Sequence, residues 1–136
     1  GVWIPQKGSD DGAADVRITG SYIKEIVIVE GLEISAGSGV FVGGRNLEDA
    51  EYLSFAVRSG KAHDFVAMAQ RRDSRGVFLD YSVSDRLQLL NVTNKSVALS
   101  DRFPVTAPGM MFMVQNKSTE AQTYDAYLYK IGSKVM

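Results

Sequence analysis

"YIKEIVIVEGLEI", residues 22–34, is the stretch that decides the fold class of this chain of 136 residues. It is dense in β-branched residues, which are enriched in strands because they pack well on a pleated surface. Gly31 interrupts the run, and a glycine inside a strand pattern indicates a bulge or a bend. The stretch therefore predicts a long β-strand with one irregularity.

Outward from this strand, the same period of two recurs along the chain. Leu53, Phe55 and Val57 recur at every second position, which predicts a strand over 51–58 after a turn or a short helical turn at 46–50. Further short strands are predicted at 40–42, 63–70, 77–81, 86–93, 95–100 and, with two prolines that favour an edge or a bend, 102–108. Eight or nine short strands and no convincing helix predict an all-β protein, an antiparallel β-sandwich of the jelly-roll type.

The last of these elements is a predicted hairpin in "MMFMVQNKSTEAQTYDAYLYKI", residues 110–131. Two apolar-rich runs flank a small polar turn at 116–120, so the two runs are expected to pair with each other. Met111 and Met113, or Phe112 and Val114, would then face Tyr124, Ala126 and Leu128.

The length and composition indicate one domain preceded by an arm. Residues 1–20 are predicted to be an extended arm or linker, because little periodicity is visible there beyond Trp3 and Ile4, and 21–136 a single β-sandwich domain. A formal net charge of −1 creates no global field for nucleic acid or an anionic membrane, and the apolar runs are too short to span a bilayer. We therefore expect neither a nucleic-acid partner nor a membrane partner.

Residues with catalytic potential are few. The chain has no cysteine, which excludes disulfides and thiolate metal sites. His63 is the only histidine, and its neighbours Lys61 and Asp64 favour an exposed loop position. The carboxylates near predicted turns are interpreted as solvated surface groups: Asp73, Asp80, Asp85 and Asp101. We therefore predict no enzyme activity, no catalytic residue, no metal site and no cofactor.

The tyrosines are the most informative candidate site. Strand alternation places Tyr124 on the face opposite Tyr127 and Tyr129. If Tyr124 and Leu128 face the core, Tyr127 and Tyr129 form an outer stripe. Exposed aromatic rings on a sheet stack on sugars or anchor a protein interface. Tyr127, Tyr129 and Trp3 are therefore the candidate contacts, either with another subunit or with a glycan.

Two stretches resemble structural proteins of tailed bacteriophages. They are "VWIPQKGSDDGAADVRITGSYIKEIVIVEGLEI" (2–34) and "FMVQNKSTEAQTYDAYLYKI" (112–131), which together cover about two-fifths of the chain. The similarity is to β-sandwich domains of tail fibres, baseplates or head decorations. It implies a virion protein, assembled in the cytoplasm of the bacterial host, that forms a symmetric homo-oligomer, with a trimer favoured, and contacts other virion proteins.

Two functions from different classes follow from these observations. The first is a non-enzymatic structural or interaction protein of a phage particle that contributes to host attachment, with host-surface carbohydrate as a further candidate partner. The alternative is a carbohydrate-binding β-sandwich module that uses surface tyrosines. A small hydrolase with carboxylates that the pattern does not reveal is a third and weaker hypothesis. An oligomer that buries Tyr127 and Tyr129 favours the first function, and a monomer with a sugar-responsive tyrosine face favours the alternative.

Overall fold

The structure, a computed structural model, describes residues 18–135 except Glu48 and Tyr81, and this part of the chain forms seven β-strands. A short 3₁₀ turn at Val83–Asp85 lies between the third and fourth strands, and none of the described residues forms a helix long and apolar enough to cross a membrane. All strand pairs are antiparallel, which confirms the predicted fold class. The strands are β1 (Ile18–Ile34), β2 (Gly39–Asn46), β3 (Tyr52–Arg72), β4 (Leu87–Leu99), β5 (Phe103–Pro104), β6 (Gly109–Asn116) and β7 (Gln122–Val135).

The strand β1 carries the predicted irregularity. Its register with β7 shifts between Val29 and Leu32, and Gly31 in this interval has a φ of +67°, which few residues other than glycine adopt. The N–H of Gly31 donates to Oδ1 of Asp125 at 2.8 Å, so the bulge is tied to the neighbouring strand. At the other end of the pair, Ile18 lies opposite Val135.

The strand β3 is 21 residues long and replaces two predicted strands. The polar stretch "SGKAHD" (59–64) resembles a turn in sequence, but here it is the middle of one strand. The strand β4 follows β3 across this region, since Arg58 pairs with Val97 and Phe65 with Val92, with register shifts between these pairs. The expectation of eight or nine short strands is therefore wrong in number and length.

The long strands β3 and β4 belong to both halves of one curved sheet. In the first half the order is β1, β7, the beginning of β3 and the end of β4, with β5 continuing that edge. In the second half it is β2, β6, the end of β3 and the beginning of β4. Four strand segments in each half, joined in this order, make the two-layered jelly roll that the sequence predicts.

The predicted closing hairpin does not form. The strand β6 pairs with residues 65–72 of β3, whereas β7 pairs with residues 52–59, so the turn after β6 crosses from one half to the other. Asn116 fixes this crossing: it is fully buried, and its Nδ2 donates to the carbonyl oxygens of Ile34 at 3.0 Å and Glu120 at 2.8 Å. Residues close in sequence are thus placed in different layers.

The core fills the space between the two halves. Phe55 of the first half stacks on Phe112 of the second, with ring centroids 4.8 Å apart, and Tyr124 meets Phe65 edge to face at 5.8 Å. Tyr124 and Leu128 are fully buried, which confirms their predicted facing. Burial of each such apolar side chain stabilises the fold by roughly 1.5–3 kcal/mol.

Candidate functional site

His63 is a core residue, and its interpretation as an exposed loop histidine is wrong. It lies in β3 with 7% of its surface exposed. Its Nδ1 is 2.7 Å from the carbonyl oxygen of Lys61, and its Nε2 is 2.5 Å from the hydroxyl of Tyr124. The sequence held a signal for this position, because His63 precedes Phe65 by two residues and therefore shares its core-facing side.

Asp80 is also buried, contrary to its interpretation as a solvated group. Its Oδ2 accepts from the backbone N–H of Arg71 at 2.8 Å and from Nε at 3.0 Å, and its Oδ1 accepts from Nη2 at 3.0 Å. The Arg71 guanidinium lowers the pKa of this carboxyl, although burial acts in the opposite direction. Asp80 therefore anchors the loop after β3, and the described residues contain no group of three histidine or acidic side chains suited to a metal.

The outer surface of the second half is partly covered by the chain itself. The described residues of segment 73–86 pack on part of it: the ring of Phe78 stacks on the ring of Phe41 at 6.3 Å, and the Arg86 guanidinium lies 5.6 Å from the ring of Phe41. Gln70, which points outward from β3, donates to the carbonyl oxygen of Asp80 at 2.7 Å and is 4% exposed. This face is thus partly covered, although Phe41, Val77, Leu79 and Val83 keep exposed surface.

The outer surface of the first half has no such cover among the described residues. Strand pairing aligns its side chains in rows: Ile23 beside Ile131 and Tyr52; Glu25 beside Tyr129 and Ser54; Val27 beside Tyr127, Ala56 and Leu99; and Asp125 beside Arg58 and Val97. We call its apolar members the tyrosine face: Ile23, Val27, Tyr52, Ala56, Val97, Leu99, Tyr127, Tyr129 and Ile131.

The tyrosine face is open and apolar. The side chain of Ile23 is 67% exposed and that of Leu99 62%, and Val27 and Val97 are exposed as well. A shallow depression of about 250 Å³ lies between Ile23, Leu99 and Tyr129. Single exposed apolar residues are ordinary, but a contiguous patch spread over four strand segments is typical of an interaction surface.

Charged groups hold the two tyrosine rings in place. The hydroxyl of Tyr127 is 3.2 Å from Nη2 of Arg58, which also forms a 3.5 Å ion pair with Asp125. The hydroxyl of Tyr129 donates to Oε2 of Glu25 at 3.2 Å. Burial raises the pKa of Tyr129, and the hydrogen bond and charge of Glu25 raise it further, so this hydroxyl stays protonated at neutral pH.

The structure brings Tyr127 and Tyr129 together on the outer side of β7, while Trp3 lies outside the described residues. Sequence reasoning missed the aliphatic members of the face on β1 and β4. The alternation of Ile23 with Lys24, and of Val97 and Leu99 with Ala98, carried a signal for their common orientation. It did not carry the pairing that makes them neighbours of the tyrosines.

Comparison with known proteins identifies the fold. No protein-family model matches the sequence, and no curated protein matches it as a relative. The VP2 subviral particle of infectious bursal disease virus has a TM-score of 0.52 at 13% identity, over 94% of this chain and 36% of that one. The structure of the Gt strain of this virus has a TM-score of 0.51 at 12% identity, over 94% of this chain and 37% of that one. A mutant VP2 protein of this virus, from derived T=1 particles, has a TM-score of 0.51 at 12% identity, over 94% of this chain and 36% of that one.

This chain thus spans about a third of the length of the viral proteins that it matches. At such low identity the likeness establishes the fold alone. The chain has a jelly-roll fold that is found in a structural protein of a virus particle.

Proposed function

We propose that this protein is a non-enzymatic structural component of a virus particle, which assembles with further copies of itself through the tyrosine face. The observation that carries the proposal is the contrast between the two outer surfaces. Phe78 and Arg86 of segment 73–86 pack on one of them, and no described segment packs on the other. On that other surface Ile23, Val27, Val97 and Leu99 are exposed beside partly exposed tyrosine rings. A soluble jelly roll has no structural need for such a surface, because its core already lies between the two halves.

The chemistry of the tyrosine face favours a protein partner. Interfaces combine an aromatic and aliphatic centre with a polar rim, and tyrosine and arginine are frequent among the residues that contribute most to binding. Here Tyr127 and Tyr129 lie on β7, between β1 and β3, with aliphatic Val27 and Leu99 on the outer strands and with Arg58 and Glu25 beside the rings. The particles named for the viral proteins of similar fold support repeated assembly of this domain type.

The finer assignments rest on the resemblance to tailed-bacteriophage proteins. We place the protein in a virion assembled in the bacterial cytoplasm, as a tail-fibre, baseplate or head-decoration domain that forms a trimer, contacts other virion proteins and contributes to host attachment. Residues 1–20 serve as the arm that tethers the domain 21–136, and Trp3 is a further interface contact. The described part of β1 begins at Ile18, so the end of the proposed arm already belongs to the sheet.

Absolute mass in solution tests the assembly. Light scattering coupled to size exclusion is expected to show a closed oligomer for the wild type and a monomer for Leu99→Lys, because a buried lysine ammonium is strongly disfavoured. Val83→Lys is the matched control, since Val83 is 65% exposed but lies in the covering segment on the other side. A wild-type monomer at every concentration, or equal behaviour of both variants, would sink the proposal.

Sugar binding is the competing function, and one observation favours it. Jelly rolls also occur in lectin domains, and Tyr127 and Tyr129 lie on one face with Arg58, Glu25 and Asp125 beside them as polar groups for hydroxyls. Against it, both rings are only partly exposed and both hydroxyls are already engaged. A glycan screen of the wild type, with Tyr127→Ala and Tyr129→Ala as controls, separates the two functions. Tyrosine-dependent glycan binding by a monomer would favour the lectin function.

A further inference from the structure

A second feature of the molecule lies away from the tyrosine face, where β2 and β3 both end. There a pocket of about 160 Å³ is lined by Arg45, Arg72 and Asp73, together with backbone of the turn after β3 and of the start of β6. Neither the fold nor the proposed assembly explains two arginines in one small pocket. The hydrogen bonds of Arg45 and Arg72 show which of their N–H donors remain available.

Arg72 is incompletely satisfied. Its Nε is buried and has no hydrogen-bond partner, and its guanidinium makes no ion pair with any residue that the structure describes. A buried donor without a partner destabilises the folded state, so native proteins normally provide a partner. The guanidinium lies against Gly44, where an added Cβ would be 2.7 Å from Nη2. Glycine at this position therefore leaves room for the arginine.

Arg45 is held beside Arg72 by the backbone. Its Nη1 donates to the carbonyl oxygen of Gly44 at 2.6 Å, and its Nη2 donates to that of Val27 at 3.0 Å. These contacts use neutral acceptors, so they orient the guanidinium without neutralising its charge. A guanidinium carries five N–H donors, which leaves donors for a further acceptor.

The one carboxylate of the pocket is engaged in its own turn. Oδ1 of Asp73 accepts from the backbone N–H of Arg75 at 2.8 Å and from that of Val77 at 2.9 Å, and Oδ2 is 3.6 Å from Nη2 of Arg75. The hydrogen bond from Val77 is the main cause that lowers the pKa of Asp73. The two guanidinium groups of the pocket thus stand against one carboxylate, which Arg75 beside the pocket already pairs, and the local balance is positive.

We propose that this pocket binds a small oxyanion of the phosphate class between the guanidinium groups of Arg45 and Arg72. The planar donors of arginine match the oxygen spacing of phosphate, and such charge-assisted hydrogen bonds are stronger than neutral ones. The anion supplies an acceptor and a counter-charge for the Arg72 guanidinium, which makes no ion pair with the described residues. The site is independent of the proposed assembly, because none of its residues belongs to the tyrosine face.

Calorimetric titration of the full chain with inorganic phosphate, at constant ionic strength with chloride as reference, tests the site. Saturable binding is expected for the wild type. Arg72→Gln and Gly44→Ala should each weaken it about ten-fold or more, the first by removing donors and the second by displacing them without a change of charge.

Arg102→Gln is the control for net charge, because Arg102 lies 4.3 Å from the ring of Tyr52 and does not line the pocket. It should bind phosphate within about two-fold of the wild type, a difference that corresponds to well under 1.4 kcal/mol. The melting temperature of each variant without phosphate shows that it is folded. The proposal is overturned if the wild type shows no saturable binding, or if Arg102→Gln loses as much affinity as Arg72→Gln.

Discussion

Replacement of Tyr124 with phenylalanine removes one oxygen atom from the core and tests the importance of its hydrogen bond to His63. The ring stays, and with it the edge-to-face contact with Phe65 at 5.8 Å. With Nδ1 of His63 donating to the carbonyl oxygen of Lys61 at 2.7 Å, Nε2 is an acceptor, and the hydroxyl of Tyr124 is its donor at 2.5 Å. The variant therefore leaves Nε2 without a partner.

The expected loss follows from the burial of the pair. Tyr124 is fully buried and His63 is 7% exposed, so water cannot readily replace the hydroxyl. An unsatisfied buried acceptor costs about 1–3 kcal/mol of unfolding free energy. His63→Leu should cost a similar amount, because it leaves the hydroxyl of Tyr124 unpaired. Lys61 is exposed, and its carbonyl oxygen can bind water instead.

The double variant distinguishes the hydrogen bond from packing. When both polar partners are replaced by apolar groups, no buried group is left unpaired, so the combined loss should be smaller than the sum of the single losses by about 1 kcal/mol or more. Urea unfolding followed by circular dichroism measures all four free energies. Additive losses, or a Tyr124→Phe variant within about 0.3 kcal/mol of the wild type, would refute the reasoning.

The same tyrosine gives a dependence on alkaline pH. Burial raises the pKa of Tyr124 to about 12, against 10.0 for an exposed tyrosine. Above pH 10 the unfolded chain releases this proton before the folded chain does, so the unfolding free energy falls as the pH rises from 10 to 12. The slope should be smaller in Tyr124→Phe, and an unchanged slope would contradict the assignment.

Two further variants test contacts away from this pair. Asp80→Asn removes the charge that Arg71 contacts and should lower the unfolding free energy by about 1–3 kcal/mol at neutral pH. The pKa of Asp80 in the folded protein lies below its ordinary 3.8, so the stability difference between wild type and Asp80→Asn should vanish as the pH falls through and below that value. A difference that persists in acid contradicts this. Gly132→Ala places a Cβ 2.7 Å from the ring of Tyr22 and should destabilise by about 1–3 kcal/mol in urea unfolding. In the control Gly60→Ala the added Cβ meets nothing within 4 Å, so this variant should not lose stability for steric reasons. Equal losses of unfolding free energy in the two variants would exclude the steric explanation.

Local patterns predicted the strands and their facing but not their partners. The alternation around Phe55 and Tyr124 reports which side of a strand faces the core, because side chains alternate whatever the neighbour is. It therefore identified the core and the outer position of Tyr127 and Tyr129. The membership of Ile23 and Leu99 in the same surface depends on pairings between residues that are distant in sequence, which no local pattern contains.

The wrong hairpin has the same physical origin. A short polar turn between two alternating strands is compatible with a hairpin within one sheet and with a crossing between two sheets. Here the crossing is selected because each strand pairs with a different segment of β3, residues 65–72 or 52–59, and because buried Asn116 bonds to Ile34 on the other layer. Likewise, "SGKAHD" has the composition of a turn, but β4 pairs with β3 on both sides of it, at Arg58 and at Phe65, so the chain continues as one strand.

The pairing of Ile18 with Val135 determines how mechanical load reaches the domain. The first and last described residues of this pair lie at one corner of the sheet, about 5 Å apart, as opposed residues of an antiparallel pair do. A longer polypeptide can therefore carry this domain as an insertion whose two flanking segments start close together. Tension along such a polypeptide would pull Ile18 and Val135 directly apart, so the hydrogen bonds between β1 and β7 would break one after another. Lateral contacts between subunits, such as those proposed for the tyrosine face, would have to carry any larger load.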